Sequence, residues 1–194
     1  YITGEYAGNS AGATGASYRG DGVYKSTDGG LTWTLLSSTS TEMPQTFDQY
    51  FDYNHEVVVS PDNGNVIVAN YGGIHVSANG GTNWTRTLNS TGWSDVVIGT
   101  GGNVYAHNTS GVYKSTDNGA NWTDISDSGF PSFGRGELAM AASNEDIVYL
   151  LAEASANTSG HALWVYDDDT GLWADRSASI PQEGGQTGDF SSQG

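Results

Sequence analysis

The chain has no cysteine, so neither a disulfide nor thiol chemistry is available to it. Positive charge is almost as scarce. Six Lys and Arg stand against 22 Asp and Glu, for a formal net charge of −16 and a pI near 4.1. That field repels phosphate backbones and anionic membrane surfaces, so no nucleic-acid partner is expected. No apolar run approaches the roughly 20 residues that a bilayer-spanning helix needs, so no membrane span is expected either. No basic-plus-apolar leader opens the sequence, and any export signal is expected to lie outside it. A sustained apolar period of 3.6 is missing too, which predicts almost no helix.

What is abundant is Gly, Ser, Thr and Asn, with 28 Gly in all. Such a composition can belong to a disordered chain. Six Trp, eleven Tyr and repeated Val/Ile runs argue for a folded one, because they supply apolar area to offset chain entropy.

One short pattern, S-x-[D/N]-x-G-x-x-W, occurs three times. Its copies begin at Ser26, Ser77 and Ser115, carry Asp28, Asn79 and Asp117, then Gly30, Gly81 and Gly119, and end at Trp33, Trp84 and Trp122. A worn fourth copy runs Asp167-Asp168-Asp169-Thr170-Gly171-Leu172-Trp173, with Asp168 and Trp173 read as its acid and tryptophan. The four tryptophans stand 51, 38 and 51 residues apart, a spacing that signals a solenoid or a propeller.

Between the boxes lie short runs rich in β-branched and aromatic residues, bounded by Gly, Asn and Pro turns. Residues 56–59, 65–70, 74–77 and 83–88 read as four strands, a to d, with the box in the c–d turn. The same order recurs over 95–125 and 137–175. The expected fold is all-β: a β-propeller of four-stranded antiparallel blades. Blades are expected at about 55–88, 94–126 and 136–176, with a partial one over 1–36 that opens on strand b at Tyr1–Tyr6. Residues 177–194 are expected to link into a further blade, so the ring is expected to be incomplete. Within the box, the Asp or Asn side chain should accept turn N–H groups, Gly should supply positive φ and Ser should cap the loop. The tryptophan should pack back on its own blade.

The pattern resembles the Asp-box, or BNR, repeat of sialidases, sortilin-type receptors and xyloglucan-degrading hydrolases. The phrases Gly22-Val23-Tyr24-Lys25-Ser26-Thr27-Asp28 and Gly111-Val112-Tyr113-Lys114-Ser115-Thr116-Asp117 are similar to those of secreted bacterial Asp-box propellers, as is the segment Gly129–Asn144. The resemblance implies a secreted or cell-surface protein, bacterial in origin, that presents loops to a protein or glycan ligand without catalysis. The alternative it implies is part of a glycoside hydrolase like the xyloglucan-degrading enzymes. A sialidase is disfavoured: only four arginines are present, Arg19, Arg86, Arg135 and Arg176, and the family's Arg-Ile-Pro motif is absent.

Antiparallel order places the a–b and c–d turns on one face and the b–c and d–a loops on the other. Long loops on a rigid scaffold are where function tends to sit, and the second face has several. The richest is residues 46–56, where Tyr50 and Tyr53 alternate with Asp48, Asp52 and Glu56; Trp93 and Arg135 are added from other loops of that face. Aromatics beside acids suit sugar stacking plus hydroxyl hydrogen bonds, and equally Ca²⁺ or simple packing at a blade junction. Glycosidase chemistry needs two carboxylates across a cleft, and Asp48, Asp52, Glu137 and Glu153 supply carboxylates without defining a pair. No cofactor is expected. Asp167 and Asp169 are weak Ca²⁺ candidates, without the regular oxygen spacing of a dedicated loop. The four histidines show no zinc spacing.

Overall fold

The computed structural model describes residues 1–3, 20–43, 46–154 and 161–180. Arg19, residues 4–6 of the expected first strand b and residues 181–194 of the expected link lie outside the described residues.

The described chain is strand, turn and three short 3-10 turns. The first sheet holds β1 (Ile2–Thr3), β2 (Val23–Lys25) and β3 (Thr34–Leu35). The second holds β4 (Asn54–Val59), β5 (Val66–Asn70), β6 (Gly73–Ser77) and β7 (Thr85–Leu88). The third holds β8 (Trp93–Ile98), β9 (Val104–Asn108), β10 (Gly111–Ser115) and β11 (Thr123–Asp124). The fourth holds β12 (Gly136–Ala141), β13 (Asn144–Glu153), β14 (His161–Asp167) and β15 (Leu172–Asp175). In every sheet, strands adjacent in sequence are adjacent in space and antiparallel. These are β-propeller blades, and their strands a, b, c and d follow the apolar runs of the sequence. Among the described residues the fourth sheet does not close against the first.

Period-2 alternation decides which side chains meet which neighbour. Val68 of β5 turns to the first sheet, where it packs with Val23 and Phe51. Ile67 and Ala69, one residue either side, turn to the third sheet and pack with Trp93, Val96 and Ala106. Tyr105 and Val112 of the third sheet join Leu138, Val148, Leu150 and Trp164 of the fourth. The core is therefore not one globule but three apolar seams, one between each pair of successive sheets. Fully buried Val, Ile and Leu side chains contribute about 1.5–3 kcal/mol each to those seams.

The innermost strands lie side by side, β4 against β8 and β8 against β12. Both β4 and β8 carry a bulge at the same place, between Asn54 and Glu56 and between Trp93 and Asp95. Register then puts Glu56 opposite Ala69, Asp95 opposite His107 and Glu137 opposite Leu151. The three carboxylates thus stand on one rung of three successive inner strands.

Candidate functional site

The box turns work as local physics dictates. Ser26 Oγ accepts the Gly30 N–H at 2.8 Å, and Asp28 Oδ1 accepts the Thr32 N–H at 2.9 Å. Ser77 and Asn79, then Ser115 and Asp117, repeat both bonds onto Gly81 and Asn83, and onto Gly119 and Asn121. The Thr32 hydroxyl, followed by the Thr32 N–H and the Ser26 hydroxyl, holds the Asp28 carboxyl at about 2. The Asn121 side chain does most to lower Asp117 in the same way.

The structure corrects the sequence expectation for the tryptophans in part. Trp122 keeps its own box, donating to the Gly119 carbonyl, and Trp173 packs on Tyr166 of its own sheet, but Trp84, Trp122 and Trp173 also bolt their turn to the preceding blade. Trp84 Nε1 donates to Ser38 Oγ at 3.2 Å, Trp122 Nε1 to Thr87 Oγ1 at 3.0 Å, and Trp173 Nε1 to the Ile125 carbonyl at 2.7 Å. Each acceptor lies in or just beyond the last strand of the preceding sheet. The physical reason is geometric: the c–d turn sits at the sheet's corner, where the indole reaches the neighbouring blade as easily as its own.

The worn fourth box is a second correction. Asp168 is not its capping acid. Asp167 takes that place, its Oδ1 accepting the Thr170 N–H at 3.1 Å. Asp168 instead receives Lys114 Nζ from the preceding blade at 2.5 Å, an ion pair with side chains only 18% and 11% exposed. The same ammonium lies 5.8 Å from the centre of the Tyr105 ring. Asp169 is exposed in the turn. Among the described residues no group of three His, Cys, Asp or Glu side chains is placed to hold a metal ion.

The box face is further tied up by hydrogen bonds between turns. Ser60 Oγ donates to Asn118 Oδ1, Asn118 Nδ2 to Asp62, and Thr100 to Glu145.

The opposite face looks different. In residues 46–53 and the β5–β6 turn, Phe47, Tyr50 and Tyr71 are 42%, 43% and 44% exposed. Phe47 lies 4.8 Å from Tyr53 and 5.4 Å, edge-on, from Tyr71 between ring centres. The Tyr71 N–H donates to the Tyr53 carbonyl at 2.9 Å, which holds the turn against the loop. Tyr50 carries the Arg86 guanidinium 5.0 Å from its ring centre. This is a contiguous aromatic surface with a cation at one end. Of its members, Tyr50 and Tyr53 were singled out from sequence. Phe47, Tyr71 and Arg86 were not, although Phe47 stands in the same run and Tyr71 opens a b–c turn.

Two of the residues assigned to this face are not on it. Trp93 is 1% exposed; the β8 bulge turns it into the seam between second and third sheets, where it packs against Tyr113 and sends its N–H to the Ser90 carbonyl. Asp52 is 3% exposed and caps a 3-10 turn, its Oδ2 accepting the Asp48 and Gln49 N–H groups. Asp48 is exposed and accepts the Thr41 hydroxyl. Arg135 is exposed and pairs with Glu137 at 3.3 Å.

Glu56, Asp95 and Glu137 form the inner rung. Glu56 is exposed, and partial burial of its carboxyl raises its pKa. Asp95 is 5% exposed and bridges two blades, accepting the Val96 N–H and, from β12, the Leu138 N–H, both at 2.7 Å. Burial pushes its carboxyl up to about 6, and the Glu137 and Glu56 charges add to the rise. Asp95 was not singled out from sequence. The signal was available: an acid directly precedes the apolar pair in each inner strand, at Glu56-Val57, Asp95-Val96 and Glu137-Leu138.

The comparisons with known proteins agree with this geometry. The BNR/Asp-box repeat family model matches residues 24–35, across the first box. The repeat is shown at that box, and the sheets around it are arranged as propeller blades. The solved GH74 xyloglucanase of Xanthomonas campestris is similar with a TM-score of 0.50 at 20% identity, over 71% of this chain and 24% of that one. A protein of unknown function from Dyadobacter fermentans is similar with a TM-score of 0.50 at 15% identity, over 82% of this chain and 57% of that one. This chain therefore spans about a quarter of the length of the xyloglucanase it matches. At these identities the likeness concerns the fold. No protein of curated function matches the sequence.

Proposed function

We propose that this array of Asp-box blades is a non-catalytic binding module of a secreted or cell-surface bacterial protein, holding a glycan or protein ligand on the face opposite the boxes. The observation that carries the reading is the aromatic surface of exposed Phe47, Tyr50 and Tyr71 with half-buried Tyr53 among them and Arg86 beside Tyr50. Rigid aromatic faces bind the apolar faces of sugar rings and of peptide side chains at little entropic cost. The net charge of −16 favours a neutral or basic ligand over an acidic one. The reading calls for no cofactor.

A second reading, a glycoside hydrolase fragment, draws on one observation. The Asp95 carboxyl, raised to about 6 beside two other carboxylates, has the protonation behaviour of a glycosidase acid. Its two oxygens are already committed to the Val96 and Leu138 N–H groups, which favours a role in joining blades.

A glycan array together with reducing-sugar release from xyloglucan and related polysaccharides separates the two. Binding without release is the expected result. Release of reducing sugar that disappears in Glu137→Gln would replace the binding module with the hydrolase.

A further inference from the structure

The phrase Gly-Val-Tyr-Lys-Ser-Thr-Asp occurs twice, and its lysines, Lys25 and Lys114, are the only two in the chain. They hold equivalent places. Lys114 pairs with Tyr105 across β10 and β9, and its ammonium lies 5.8 Å from the centre of that ring. Ile2 pairs with Tyr24, which puts Tyr1 beside Lys25, and here the ammonium lies 5.5 Å from the ring centre. Each lysine turns toward the sheet that follows its own. Lys114 meets Asp168 of the fourth sheet. Lys25 meets Gly80 of the second, with its Nζ 3.0 Å from the point where Gly80 would carry a Cβ. Gly80 follows the capping Asn79 as Asp168 follows the capping Asp167, so the two receiving positions are equivalent as well. One holds a carboxylate and the other a hydrogen atom. Among the described residues Lys25 makes no ion pair.

Beside Lys25 is a half-open cavity of about 250 Å³, lined by Lys25, Thr27, Thr32, Thr34 and Leu36. Lys25 and Thr34 are cross-strand partners and share the face that looks to the second sheet. Leu36 packs on the seam of Val23, Phe51 and Val68 and lies against Gly81. The cavity therefore sits where two sheets of this chain meet. Thr32 commits its hydroxyl to Asp28, whereas the Thr27 and Thr34 hydroxyls make no hydrogen bond among the described residues. The volume is below the roughly 300 Å³ at which pockets for drug-sized ligands begin, so a ligand here is small.

We infer that this cavity binds a small carboxylate, a simple organic acid or a sugar acid, whose carboxyl group takes on Lys25 the place that Asp168 takes on Lys114. The ammonium supplies a charge-assisted hydrogen bond, Thr27 and Thr34 donate to the remaining oxygens, and Leu36 meets the carbon skeleton. The lysine–carboxylate pair of the later seam is thus completed in the earlier one by a ligand. The site is separate from the aromatic surface of the opposite face.

NMR of the chain labelled with ¹³C-lysine tests it, because only two Cε–Hε signals are present and one is an internal control. Titrations use sodium acetate and sodium glucuronate, with sodium chloride at the same ionic strength as reference. Both carboxylates should shift the Lys25 signal saturably and leave Lys114 in place. Tighter binding of glucuronate identifies a sugar acid, and tighter binding of acetate a simple organic acid. Gly80→Asp supplies the carboxylate from the protein and should weaken binding about tenfold or more. Asn118 holds a φ of +57° at the same place in the third box, so a side chain is accepted there. The Phe47→Ala/Tyr71→Ala variant should keep the Lys25 response, which separates this site from the ligand face. A Lys25 shift that does not saturate, that chloride reproduces, or that Lys114 shares overturns the inference. So does a folded Gly80→Asp variant with the wild-type response.

Discussion

The indole N–H of Trp122 lies 3.0 Å from the hydroxyl of Thr87, which belongs to the last strand of the preceding sheet. The hallmark residue of the repeat is therefore a bolt between blades. Trp84 and Trp173 make the equivalent bond to Ser38 and Ile125.

If that bond carries inter-blade stability, Trp122→Phe should destabilise the chain by about 1–2 kcal/mol, since the ring stays but two acceptors lose their donor. Trp33→Phe should cost well under half of that, because its bond is local and exposed. Urea unfolding of both variants measures the difference.

A glycine pair separates backbone strain from packing. Gly30 and Gly119 both sit at positive φ, +91° and +86°, so alanine at either should cost about 1–2 kcal/mol from conformation. Only at Gly119 does the added methyl press on Val76 and Ile67, which adds about 1–3 kcal/mol of overpacking. Gly119→Ala should therefore unfold at clearly lower urea than Gly30→Ala.

Two buried histidines set the acid response. Burial, helped by the Arg86 charge, lowers His75 to about 4, and burial lowers His107 to about 4. An unfolded histidine titrates near 6.5, so between about 6.5 and 4 the unfolded chain holds more protons than the folded one. Stability should fall as pH drops through that window, by on the order of 3 kcal/mol per histidine. Asp95, raised to about 6, acts in the opposite sense: its folded form takes up a proton first, so it offsets part of the loss. Thermal melts from pH 7 to 4 should show a decline, and His107→Gln should flatten it.

The blades were legible in the sequence because period-2 alternation and Gly/Asn turns are local signals, and the box marks the c–d corner of the first three sheets. The destination of the tryptophans was not legible, because a box looks the same whether its indole turns inward or toward the neighbour. Trp93 misled for a related reason. A bulge between Trp93 and Asp95 shifts the alternation by one residue, and bulges leave no mark in a short apolar run. Asp168 misled because its partner, Lys114, is 54 residues away, and sequence spacing reports only local caps. The aromatic surface was half legible: Tyr50 and Tyr53 share one loop, but Tyr71 reaches them from a different turn.

The division of labour between the two faces is the centre of this account, and ligand binding measures it directly. Wild type, a Phe47→Ala/Tyr71→Ala double variant and Asp28→Asn should be compared on one array of glycans and peptides. Loss of two stacking rings should weaken binding of the strongest ligand about tenfold or more. Asp28→Asn, on the box face, should bind like wild type. Binding that survives the double substitution, or that is lost in a folded Asp28→Asn variant, would contradict the account.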